Sequence, residues 1–249
     1  MSDTATYFPR PGQPATGVAP KVISPLFPYL IGGLLHDANN YLTVLLLSSD
    51  ADLAIPGETN EDLTAQNQAH SSLLHVAKVL KIIQNMARDY YGTGAQTRSG
   101  IESRLTELVE KKRKNSPNIG ITLVCLGPLE ESDLPASLVL FLADELLQNA
   151  IKACGKETKH EVELKLAADS DANTVSLCIV DDGPGFTPEK LVAIRNCLVP
   201  PPVDGTQGGY GLYFVNEIAL RLRGRLLAAN LTPGARVEVL MPFYSPIHL

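Results

Sequence analysis

A chain of 249 residues can hold one large domain or two modest ones with real cores, and its formal charge of −6 offers no basic field for nucleic acid and no polybasic membrane patch. No apolar run approaches the roughly 20 residues that a membrane span needs, and the opening residues do not read as a signal peptide, so no membrane insertion and a cytoplasmic location are expected. Cys125, Cys154, Cys178 and Cys197 show no CxxC spacing and no adjacent histidine, and they read as core thiols in a reducing compartment.

Residues 1–24 are rich in Pro, Thr, Ala and Gly without a period and read as a mobile tail. From Pro25 a long helix is expected, with Pro25 and Pro28 near its first turn. Phe27, Ile31, Leu34, Ala38, Tyr41 and Leu45 make one apolar seam at heptad spacing. At about 100° per residue His36 falls almost opposite that seam, in water, with Asp37 beside it and Asn40 one turn on. Pro56-Gly57 ends the helix, and a second one carries Leu73, Ala77, Leu80, Ile83, Ala87 and Tyr90 on another heptad seam. A single hairpin cannot bury both seams, so a homodimeric four-helix bundle is expected. Gly92-Thr93-Gly94 marks a boundary near residues 92–99.

Helix and strand alternate after that boundary. Helices are expected over 101–114, 135–154, 188–196 and 212–222, and strands over 119–126, 161–168, 174–180, 225–230 and 235–241. Glu145, Asn149 and Lys152 project from one side of the 135–154 helix. Asparagine is a mediocre helix former; a magnesium ion with phosphate oxygens gives it a reason to be there, and Lys152 adds a point charge for phosphate. The strand 174–180 runs into Asp181-Asp182-Gly183-Pro184-Gly185, where a carboxylate can accept from a ligand amine such as adenine's and the glycines admit a close approach. Residues 198–209 are too rich in proline and glycine for regular structure, and their glycine end, Gly209 and Gly211, opens a helix at Leu212 whose N-terminus suits phosphate. Taken singly, each stretch has an ordinary alternative: a turn, a solvated helix stripe, a surface histidine.

In this order, Asn149 on a helix, Asp181 to Gly185 after a strand, and Gly209-Tyr210-Gly211-Leu212 opening a helix resemble the N, G1 and G2 boxes of sensor histidine kinases. That family belongs to the ATPase superfamily of gyrase and Hsp90-type proteins. His36-Asp37-Ala38-Asn39-Asn40 resembles its phosphoacceptor H box, and Arg223-Gly224, Thr232-Pro233-Gly234 and a last strand ending at Pro242 resemble its closing pattern. The resemblance covers about residues 25–243. It implies an α+β protein: a hairpin over 25–92 that forms a dimeric four-helix bundle for dimerisation and histidine phosphotransfer, then an α/β-sandwich ATP-binding catalytic domain over 100–249.

The resemblance also assigns roles. His36 is the implied phosphorylated nucleophile, Asp37 its base or orienting partner, and Asn40 the residue that positions water for dephosphorylating a partner. Asn149 would hold Mg²⁺, Lys152 phosphate and Asp181 the adenine amine, with Glu145 ordering the metal or reacting groups. Gly183, Gly185, Gly209, Gly211 and Leu212 would line the ATP. The implied partners are a second copy of the chain, a response-regulator receiver domain and a separate sensor protein, and the implied activity is autophosphorylation of His36 followed by transfer to an aspartate, with phosphatase activity toward the same regulator. Three departures stand out: Ala153 where an aromatic residue is common, a short lid with no Lys or Arg after Arg195, and Ala235 where a threonine is common. They keep open a kinase-like phosphotransfer or adaptor protein with weak or lost ATP chemistry. A serine kinase of the anti-sigma type would leave the His36 hairpin without a purpose.

Overall fold

The computed structural model describes residues 31–33, 35, 36, 38–40, 42, 73, 76–85, 100–129, 134–155, 158–197 and 210–242. The expectations for the 1–24 tail, for Asp37 and Gly209, for the 92–99 boundary and for the 198–209 lid lie outside the described residues.

From residue 100 the elements run α1 (Gly100–Asn115), β1 (Ile119–Leu126), α2 (Ala136–Cys154), β2 (His160–Asp169), β3 (Thr174–Asp181), α3 (Pro188–Arg195), α4 (Tyr210–Arg221), β4 (Arg225–Asn230) and β5 (Ala235–Pro242). The strands form one sheet in the order β1-β2-β3-β5-β4. β1 and β2 are parallel because α2 carries the chain back between them; the other three pairings are antiparallel. The β2–β3 turn is tight: Ala172 N donates to Asp169 Oδ1 at 2.8 Å, and Asn173 takes φ 52°, a conformation that asparagine tolerates better than most residues.

Alternation along the strands decides the layers. Val175, Leu177 and Ile179 of β3 and Val237, Val239 and Met241 of β5 are buried on one face. Leu105 and Val109 of α1, Leu138, Leu142 and Leu146 of α2, and Val215, Ile218 and Leu222 in and just after α4 join the same core. Each such side chain contributes about 1.5–3 kcal/mol on burial, so this interface dominates the fold's stability. The opposite sheet face is polar: Ser176 Oγ donates to Glu238 Oε1 at 2.5 Å and Arg236 to Glu238 Oε2 at 2.8 Å. The domain is therefore a two-layer α/β sandwich. Thr187 caps α3 by accepting from Lys190 N at 3.4 Å, and Pro188 takes its first turn.

Two expectations need correction, and the second hairpin helix carries an apolar stripe beyond the expected one. Val76, Val79 and Ile82 of that helix are buried, whereas Leu73 and Leu80 of the expected seam are 55% and 50% exposed in the single chain. Heptad counting found one apolar stripe, but a second lies one residue, about 100°, round the helix, and that one packs against the sandwich. Next, α4 begins at Tyr210 rather than Leu212, so Gly211 sits inside its first turn. Lastly, Cys197 is exposed with φ 55°, not a core thiol; it sits just past the end of α3, where there is no core to enter.

Candidate functional site

The site is assembled on α2. Its Leu138, Leu142, Leu146 and Ala150 face the sheet, so Glu145 and Asn149 stand beside that stripe, and Lys152, nearer the helix end, is exposed. Gly211 of α4 meets Glu145 and Asn149. A Cβ there would lie 2.6 Å from Glu145 Oε2 and 3.2 Å from Asn149 Nδ2, so a glycine lets α4 reach this point without displacing the carboxylate. Glu145 is 6% exposed and its Oε1 accepts from Lys78 Nζ at 2.8 Å. Among the described residues, Asn149 Nδ2 is buried with no hydrogen-bond partner. Leaving a buried donor unmet costs about 1–3 kcal/mol, which makes this amide a place for an incoming acceptor.

The end of β3 forms the second wall. Strand register sets Asp181 between Val162 of β2 and Ala235 of β5. Asp181 is 6% exposed, and Gly183 N–H donates to its Oδ1 at 3.0 Å. Burial raises its carboxyl above the ordinary aspartate value, against the pull of the Gly183 and Ala235 N–H groups. Gly183 packs on the last turn of α2, where a Cβ would come within 3.4 Å of Ala153 and 3.5 Å of Cys154. Gly185, at φ 79°, is held by Asn230, which accepts from Phe186 N at 2.8 Å and donates to Phe186 O at 2.9 Å. Leu212 is 5% exposed and its side chain belongs to the core.

Asp182 turns toward a different neighbour. Its Oδ1 lies 2.7 Å from His160 Nδ1, and its Oδ2 accepts from Glu161 N at 3.2 Å. Burial acts to raise its carboxyl, but these hydrogen bonds outweigh it and leave the group below its ordinary value. Cys154 Sγ donates to the same Oδ1 at 3.8 Å. Burial, with Asp181 and Asp182 adding to it, pushes that thiol up to about 11.

On the hairpin, His36 and Asn40 are exposed, and the Asn40 amide nitrogen lies 3.2 Å from His36 Nδ1. The seam-opposed placement expected for His36 agrees with the burial of Ala38, which is 3% exposed. Gly33, one turn earlier, lies against the Arg221 guanidinium at the end of α4.

Lys78, Phe214, His160 and Asn230 escaped the sequence reading. Lys78 sits 5.4 Å over the Phe214 ring, which itself meets Phe141 edge-on at 6.2 Å. Lys78 and Glu145 are 67 residues apart, and no local spacing announces such a contact.

Residues 137–245 match the family described as histidine kinase-, DNA gyrase B-, and HSP90-like ATPase. Among solved structures, the Erythrobacter litoralis EL346 blue-light activated histidine kinase is 14% identical with a TM-score of 0.52, over 90% of this chain and 61% of that one. A mycobacterial sensor histidine kinase, MprB, is 18% identical with a TM-score of 0.45, over 58% of this chain and 97% of that one. Acinetobacter baumannii AdeS, also a histidine kinase, is 13% identical with a TM-score of 0.45, over 84% of this chain and 98% of that one. No curated protein matches in sequence. Among the described residues no helix is long and apolar enough to cross a membrane. With its strands backed by helices and its two glycine turns facing α2, the segment 137–245 has the fold and the sequence match of a histidine kinase-, DNA gyrase B- and HSP90-like ATPase domain.

Proposed function

We propose that the protein is an ATP-dependent protein histidine kinase of a two-component system, which phosphorylates His36 and passes the phosphoryl group to a response-regulator aspartate. The observation that carries this reading is the buried, unpartnered Asn149 amide between the Gly211 turn and the Gly183 turn. A donor left unmet at a point where two glycines clear space fits an acceptor oxygen of a nucleotide. Asn149 would hold Mg²⁺ through its carboxamide oxygen, Lys152 would meet phosphate, and Asp181 would accept from the adenine amine. Bound Mg²⁺ supplies charge neutralisation on the phosphate oxygens.

His36 then acts as nucleophile. A ring-nitrogen lone pair forms the P–N bond as the γ-phosphorus parts from the ADP oxygen, and Asp37 takes the ring proton. Asn40, at hydrogen-bond distance from Nδ1, sets the ring's tautomer and orientation; in a separate hydrolysis of the partner's aspartyl phosphate it would orient the attacking water. The exposed Leu35, Leu42, Leu73 and Leu80 leave apolar hairpin surface for a second copy, which supports a homodimer over residues 25–92, placed in the cytoplasm on this reading. A receiver domain and a separate sensor protein complete the pathway.

A kinase-like phosphotransfer or adaptor protein is the competing reading, and the engagement of the Glu145 carboxylate by Lys78 favours it. Calorimetric titration with ATP and ADP, with and without Mg²⁺, separates the two. Binding that strengthens with Mg²⁺ supports the kinase, and no heat at millimolar nucleotide leaves the adaptor.

A further inference from the structure

A group of side chains that the nucleotide reading leaves unused converges at the C-terminal end of α2. Cys154 is the buried last residue of α2, His160 the first of β2, and Asp182 follows β3. Their ligating atoms all lie within 4.8 Å of one another, with Asp182 Oδ1 2.7 Å from His160 Nδ1 and 3.8 Å from Cys154 Sγ. The outer contacts are those a ligand set needs. Thr158 Oγ1 lies 2.7 Å from His160 Nε2, and the second Asp182 oxygen is occupied by Glu161 N–H.

We propose that Cys154, His160 and Asp182 form a binding site for a divalent transition-metal ion of the zinc class, with water as fourth ligand. One thiolate, one imidazole and one carboxylate suit Zn²⁺ or Co²⁺, whereas Mg²⁺ prefers oxygen alone. Metal–ligand bonds of about 2.0–2.3 Å in a tetrahedron put neighbouring ligand atoms roughly 3.3–3.7 Å apart. The cysteine–aspartate spacing of 3.8 Å lies at the outer edge of that range, the histidine–aspartate contact of 2.7 Å must open by roughly half an ångström, and the cysteine–histidine spacing is within 4.8 Å. On binding, the thiol proton leaves to solvent. The imidazole coordinates through Nδ1 and keeps its proton on Nε2, donating to the Thr158 hydroxyl. The half-buried His160 and Asp182 leave the ion a path from solvent.

None of the three ligands is among the residues assigned to the nucleotide, so the test needs no ATP. The full-length, reduced protein is titrated with Co²⁺, and the thiolate-to-cobalt charge-transfer band and the visible bands of tetrahedral cobalt are recorded. One equivalent should bind, Cys154→Ser should abolish the charge-transfer band, and His160→Gln and Asp182→Asn should each weaken binding by at least about 10-fold. Cys197→Ser, which changes an exposed thiol, should leave the band intact. Zn²⁺ should raise the unfolding temperature of the unmodified chain and of Cys197→Ser, but not of Cys154→Ser. Absence of the band at stoichiometric Co²⁺, or full affinity retained in both His160→Gln and Asp182→Asn, overturns the proposal and leaves a plain His–Asp pair bracing the turn after β3.

Discussion

Glu145 and Asn149 occupy successive turns of one helix face and differ in how they are satisfied. The carboxylate is met by Lys78, while the amide nitrogen is met by nothing among the described residues. The ion pair is only partly dry, because the Lys78 side chain is 37% exposed, but Glu145 is buried and pays for any loss of its cation. Lys78→Met should therefore lower stability by about 1–3 kcal/mol, the cost of an unmet buried acceptor. Glu145→Gln in the same background should recover part of it. Urea unfolding of the two single variants and the double variant gives the coupling, expected at about 0.5–3 kcal/mol; simple additivity would mean the pair is not energetically linked. At Asp181, the residue proposed to accept from the adenine amine, the change to asparagine exchanges one carboxylate oxygen for a donor. Nucleotide affinity should fall by about 1–3 kcal/mol, read by calorimetry, with the fold intact by circular dichroism.

Among the elements, the turn after β3 depends on a residue from β4. Asn230 holds Phe186 through two hydrogen bonds, and no neighbouring sequence signal marks it, since the two residues are 44 apart. Asn230→Ala should cost about 1–2 kcal/mol and weaken nucleotide binding through a loosened turn, whereas unchanged affinity would make Asn230 a purely structural brace. The element bounds themselves were legible: period-two alternation and the glycine and proline breaks set the strands and helices of residues 100–242 to within two residues. What the spacing could not give was which stripe of the second hairpin helix turns inward. Val76, Val79 and Ile82 compete with Leu73, Ala77 and Leu80, and only the neighbouring sandwich decides. The exposed leucine stripe is the surface proposed for a second copy. Leu80→Glu should yield monomers in light scattering at micromolar concentration with little loss of monomer stability; an unchanged dimer would place the interface elsewhere, and a monomeric unmodified protein would remove it.

For the whole molecule, the site was legible where chemistry follows chain order and illegible where it follows folding. Asn149, Asp181, Gly183 and Gly185 could be named because each sits in a local pattern of strand, turn or helix. Lys78 on Glu145, and Cys154 with His160 and Asp182, come together only when helices dock and strands pair, so scattered cysteines and a histidine at a strand start gave no signal. The claim that joins hairpin to sandwich is that ATP bound near Asn149 phosphorylates His36. Purified protein incubated with γ-labelled ATP and Mg²⁺ tests it most directly. The expected result is acid-labile, base-stable label on the protein that His36→Gln abolishes while nucleotide binding survives. Acid-stable label, or label undiminished in His36→Gln, would contradict it.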